Sequence, residues 1–142
     1  MQLINHFKIY VVLLLFLSCT DTNEEVAKSF SIEIKNESSN TLIFEGWRNS
    51  EIIIEETILN NSFHAITYSR VNFSGLYGNV DSLAIKFENN KGYLCTGELS
   101  DNLCFQNRDG FNMDDFDSLG NNTYEFTITQ ADFENAFELP DL

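Results

Sequence analysis

Basic side chains are scarce in this chain. It has 8 Lys and Arg against 22 Asp and Glu, a net charge of −14. A surface of that sign repels phosphate backbones and anionic lipid, so it argues against nucleic acid as a partner. It suits solubility, cation binding or a basic partner. Histidine is scarcer still, with only His6 and His64. Nucleophilic catalysis needs a base beside a nucleophile and an orienting acid, and no motif sets these around His64. Zinc is argued against on the same count. His64, Cys95 and Cys104 supply at most three soft ligands, without the paired spacing of zinc sites. Adjacent acids such as Glu55-Glu56 and Asp114-Asp115 make poor glycosidase pairs, because neighbours on a strand face opposite ways. The reading is therefore non-catalytic. Proline occurs once, at Pro140.

Long apolar runs are also missing, with one short exception. Ile9 to Leu17 is apolar or Tyr throughout. At the helical rise it spans roughly 14 Å, about half of a ~30 Å hydrocarbon core. That is too short to cross a bilayer and suits the core of a signal peptide. The run ends in Phe16-Leu17-Ser18-Cys19, which resembles the lipobox of bacterial lipoproteins, with Phe16 in place of the usual aliphatic residue. In that family the peptide is cut before the cysteine, whose sulfur carries a diacylglycerol and whose new amino group is acylated. The resemblance implies a signal peptide over 1–18, lipidation of Cys19 and membrane attachment through lipid. Each buried methylene adds about 0.8 kcal/mol, and two or more chains hold stably where one does not. The alternative is an ordinary secretory signal with an incidental cysteine.

Residues 19–29 read as an acidic flexible tether, since Thr20-Asp21-Thr22-Asn23-Glu24-Glu25 has no apolar period. Its acidic cluster resembles the post-cysteine signal of Bacteroidota lipoproteins displayed on the outer cell surface; a plain solvated linker is the other reading. Without the leader and its one basic residue, Lys8, the chain has seven Lys and Arg against 22 acids, a net of −15.

What remains, residues 30–142, reads as one domain large enough to bury a core. Hydrophobic residues at 43%, with 13 Phe, argue against disorder despite the charge. Phe30-Ser31-Ile32-Glu33-Ile34-Lys35 alternates as a half-buried strand. Thr41 to Trp47, Ile52 to Ile58 and Phe63 to Tyr68 predict three more. On alternation Glu56 shares a face with Ile52, Ile54 and Ile58, which demands a bulge or a place at the sheet rim. Residues 71–80 predict a crossover loop with apolar anchors. Leu83, Ile85 and Phe87 alternate into an Asn89-Asn90-Lys91-Gly92 hairpin turn, and 92–96 returns. Residues 98–122 predict one long irregular stretch, of the kind that is functional or pinned by a crosslink. Thr123 to Thr129 is a strand with Tyr124, Phe126 and Ile128 inward. Thr129 to Asp132 then resembles a capping box opening a short helix through Phe137. About seven strands with turns every 8–12 residues predict an all-β, Ig-like or transthyretin-like β-sandwich with a short C-terminal helix.

Together the lipobox, the acidic tether, the SIEIKN strand, the VDSLAIKFENNKGY hairpin and the YEFTITQADFENAF end resemble a loose group of small Bacteroidota lipoproteins. The resemblance implies location and fold, and carries no functional residues with it.

Four candidate sites follow. Cys95 and Cys104 can bridge, in a compartment where disulfides persist, or stand as two buried thiols. Asp109, Asn112, Asp114, Asp115 and Asp117, around Gly110, offer oxygens of the type calcium takes; an acidic solvated loop is the alternative. Asp81-Ser82-Leu83 and Asp117-Ser118-Leu119 match the Asp-Ser/Thr-aliphatic pattern of Bacteroidota O-glycosylation, which implies Ser82 and Ser118 as acceptors. Trp47, Tyr68, Tyr77 and Tyr93 can form an aromatic platform for glycan, or serve as core. The functional expectation is an accessory, binding or adhesion module on the outer membrane surface with a protein or glycan partner. A periplasm-facing component of an envelope complex and a carbohydrate-binding accessory protein are the alternatives.

Overall fold

The computed structural model describes residues 25–76, 78–96 and 103–140. The leader, Cys19 and most of the tether, together with Tyr77, lie outside the described residues. Among the described residues nine strands form two sheets: β1 Lys28–Asn36, β2 Leu42–Arg48, β3 Glu51–Ile58, β4 Ser62–Arg70, β5 Ser82–Phe87, β6 Lys91–Thr96, β7 Asp117–Gly120, β8 Thr123–Ile128 and β9 Phe137–Glu138. One short helix, α1 Gln130–Glu134, precedes β9. The first sheet has the order β4-β1-β8-β7 and the second β3-β2-β5-β6-β9. The pairing of β1 with β8 is parallel and the other strand pairs are antiparallel.

The all-β expectation holds, with nine strands instead of about seven. The two additional strands are those that periodicity cannot see. All four residues of β7 are exposed, so no apolar alternation marks it inside 98–122. β9 has two residues and takes Phe137 out of the helix, which ends at Glu134. The capping box itself forms: the Thr129 side chain accepts from the Asp132 N–H, and Asp132 Oδ2 accepts from the Thr129 N–H at 2.7 Å.

The core lies between the sheets. Phe30, Ile32 and Ile34 from β1 meet Phe126 and Ile128 from β8, and Leu42, Phe44, Leu83 and Ile85 face them from the other sheet. Gly46 on β2 leaves room for the crossover loop; a Cβ there would lie 2.8 Å from Val80 Cγ1. The loop is anchored by Phe73, which stacks on Tyr124 at 3.5 Å, and by Leu76 and Val80. Arg48 holds its far side, donating to the Gly78 carbonyl at 2.6 Å.

The tension at Glu56 is resolved by its place at the rim, while a bulge farther along the strand takes Ile52, not Glu56, off the shared face. A register shift between Gly46 and Trp47 sets Ile54 and Ile52 opposite them and leaves Ile53 as the extra residue. Ile54 then packs against the core while Ile52 and Ile53 are exposed, so Ile52 does not join the inward face. Glu56 sits at the rim, where its Oε2 lies 3.6 Å from His64 Nδ1 of β4.

Asn36 joins the elements at one end of the sandwich. It is fully buried. Its Nδ2 donates to the carbonyls of Asn40 at 2.7 Å and Ile58 at 3.0 Å, and its Oδ1 accepts from the N–H and hydroxyl of Ser38. A buried amide of this kind is tolerable only because both ends are satisfied.

Candidate binding cleft

The segment after β6 carries the residues that matter. Cys104 lies against Cys95 at disulfide distance, with Cα atoms 4.8 Å apart, within the range a bridge requires. The Leu94 N–H donates to the Leu103 carbonyl at 2.9 Å, so the chain lies against β6 as it reaches Cys104. This fixes Phe105, whose ring stacks on Tyr93 at 3.9 Å. Gly110 ends the run with φ +78° and packs against Leu83, where a side chain would collide.

Between Phe105 and α1 opens a cleft of about 520 Å³. Arg108 forms its floor. The guanidinium carbon lies 4.6 Å from the centroids of both Phe105 and Phe126. Its Nη1 donates to the Thr127 carbonyl at 2.8 Å and its Nη2 to Asp132 Oδ2 at 2.7 Å. Asp132 Oδ2 also takes the Thr129 N–H and hydroxyl, so one oxygen gathers the helix start, β8's end and the loop. Tyr93 closes the wall, donating its hydroxyl to the Asp132 carbonyl at 2.6 Å. Burial pushes this phenol up to about 12; the Asp132 charge adds to the rise and Arg108 opposes it. Gln106, Asn107 and Asn135 are exposed residues lining the mouth. The arrangement offers a held, charge-paired floor and a rim of amides that can donate and accept.

Three of the residues foreseen as calcium ligands, Asp109, Asn112 and Asp115, hydrogen-bond within their own loop. Asp115 Oδ2 accepts from the N–H groups of Asp109 and Gly110 at 3.1 and 3.0 Å, and Asp109 Oδ1 accepts from the Phe111 N–H at 2.8 Å. Asn112 Nδ2 lies 3.4 Å from Asp109. These bonds fold the loop over Phe111. Asp109 is held above the usual carboxylate range, mainly by burial and also by Asp115, while the Phe111 N–H pulls the other way. Asp114 and Asp117 are exposed. Among the described residues no three His, Cys, Asp or Glu side chains gather as metal ligands.

Ser118 is exposed on β7, whereas Ser82 is half-buried at the start of β5, between Trp47 and Thr96 in register. The aromatic platform does not form from the described members. Tyr93 is buried in the core, Tyr68 turns its hydroxyl to the Gly75 carbonyl, and Trp47 donates Nε1 to Glu45 Oε2 on the outer face of the other sheet.

Sequence reasoning found the cysteines and the capping aspartate but missed Arg108, Gln106, Asn107 and Asn135 as neighbours. The signal was faint: Arg108 is a rare cation in an acidic chain, and it stands 18 positions before Phe126, whose ring it gives no hint of meeting.

No family model matches the chain, and neither a curated protein nor a solved structure matches it.

Proposed function

We propose that the chain is a non-catalytic lipoprotein of the bacterial cell envelope, held by lipid on Cys19, whose β domain binds a partner at the outer membrane surface. Its body is read as a sandwich of the Ig-like or transthyretin-like kind. The observation that carries the binding role is the cleft over Arg108. Its floor is locked by a charge-assisted bond and by aromatic rings, so little ordering cost remains for a ligand, which is what a recognition site needs. The exposed amides at its rim provide direction and specificity.

The test has two arms. Palmitate labelling of cells making the parent and Cys19→Ser reads the anchor; equal labelling of both would sink it. Affinity capture with intact lipidated protein, compared with Asn107→Ala/Asn135→Ala, reads the cleft. A partner retained equally by both chains removes the cleft from the proposal. A hydrolase panel showing turnover lost on His64→Ala would end the non-catalytic reading.

The amide rim also favours a second reading, a carbohydrate-binding accessory, because sugar hydroxyls pair with amides that both donate and accept. Glycan-array binding lost in the same double variant distinguishes it. The third reading is a periplasm-facing structural component of an envelope complex. Protease shaving of intact cells that leaves the domain untouched supports it over surface display.

A further inference from the structure

Two sheets have four terminal strands, and three of these are blunted. β3 carries Glu51, Glu55 and Glu56 and a register break. β7 has four residues and a break of its own, and β9 has only two residues. Short length, charge and bulges are the usual defences against edge-to-edge association. β4 is neither short nor bulged, and its one Lys, Arg, Asp or Glu is Arg70, its last residue. It runs nine residues, SFHAITYSR, in unbroken register with β1, its one strand partner among the described residues, without Pro, Gly, Lys or acid. Its outward side chains are Phe63, Ala65, Thr67 and Ser69, all exposed and uncharged, with Phe63 58% accessible.

From this we infer that β4 is a self-pairing edge, where two copies join their four-stranded sheets across a two-fold axis. Self-complementarity selects a second copy. At −14 the chain repels itself over most of its surface, so two copies approach best along a strand whose own side chains carry no acid, as those of β4 do. The sequence is also self-compatible. Antiparallel pairing centred on Ile66 sets Phe63 opposite Ser69 and Ala65 opposite Thr67, each twice by symmetry. On the inner side His64 meets Tyr68 and Ser62 meets Arg70, with no like charges opposed. A closed two-fold contact of this kind uses up both edges and stops at the dimer.

The test is sedimentation equilibrium of the mature lipidated protein in detergent. The parent is expected at twice the monomer mass, and Ala65→Lys/Thr67→Lys at the monomer mass with an unchanged circular dichroism spectrum and melt. Mixing that variant with Ala65→Glu/Thr67→Glu should restore the doubled mass, because each Lys then faces a Glu. On an otherwise unaltered chain, oxidising a mixture of Ala65→Cys and Thr67→Cys proteins should link unlike chains faster than like ones, which reads the register without depending on the lysine variant. A monomeric parent at about 100 μM overturns the inference. So does a dimer untouched by the lysines, or an unrelated extended peptide co-purifying on β4.

Discussion

Arg108 and Asp132 stand 24 positions apart, yet Nη2 and Oδ2 are 2.7 Å from each other. The pair ties the disulfide-side loop to the first turn of the helix and makes the cleft floor one unit. Half-shielded by the Phe105 and Phe126 rings, it is worth more than an exposed ion pair, which typically contributes 0–1 kcal/mol. Arg108→Ala should destabilise by about 2 kcal/mol, as expected for a charge-assisted bond plus cation–π contact. Arg108→Ala and Asp132→Ala together should cost less than the sum, because each removal already breaks the shared bond. Urea unfolding of the four proteins of the cycle measures this; strict additivity would show the pair to be energetically silent.

The cysteine pair closes a loop of nine positions. In the chain-entropy model such a crosslink stabilises by up to about 2.5–3 kcal/mol. Reduction should therefore lower the urea midpoint of the parent and leave Cys95→Ala/Cys104→Ala unmoved. Because Cys104 is followed directly by Phe105, reduction should also loosen the Tyr93 wall, read as faster hydrogen exchange at residues 93–94.

Tyr68 and Tyr93 are both pushed up to about 12 by burial. Their folded values lie above the ordinary phenol value near 10. The folded state therefore holds its phenolic protons more tightly than the unfolded state does. That stability is fully present below about pH 10 and is lost as pH rises through 12. Denaturant melts at rising pH should weaken across this window, and Tyr93→Phe should flatten part of the slope. A parent whose stability is level from pH 9 to 12 contradicts the assignment.

Asn36→Ala should be among the costliest single changes outside the apolar core, about 2–3 kcal/mol, because it removes the buried amide that donates to the Ile58 and Asn40 carbonyls and takes the acceptor from the Ser38 N–H. Asn36→Asp should fare no better: it keeps the acceptor for Ser38 but turns a charge toward those carbonyls. Thermal melts of both variants test the point.

By itself the sequence determined what is local. Alternation in β1, β5 and β8 named the inward residues, because a half-buried strand repeats every two positions and its apolar set shows directly. The Asn89 turn and the Thr129 capping box were legible for the same reason, since turn and cap chemistry acts within four residues. Tertiary structure decided everything that needed two distant segments. The fully exposed β7 exists only because β8 pairs with it, and the bulge opposite Gly46 takes Ile52 off the face that alternation assigned to it. Loop folding decided which backbone N–H groups the oxygens of Asp109 and Asp115 accept from. Arg108 had no visible partner until β8 and the helix brought Thr127, Phe126 and Asp132 around it. Short-range steric and hydrogen-bonding rules can be read along a chain; which side chains share a desolvated space is fixed only when the two sheets close on one another.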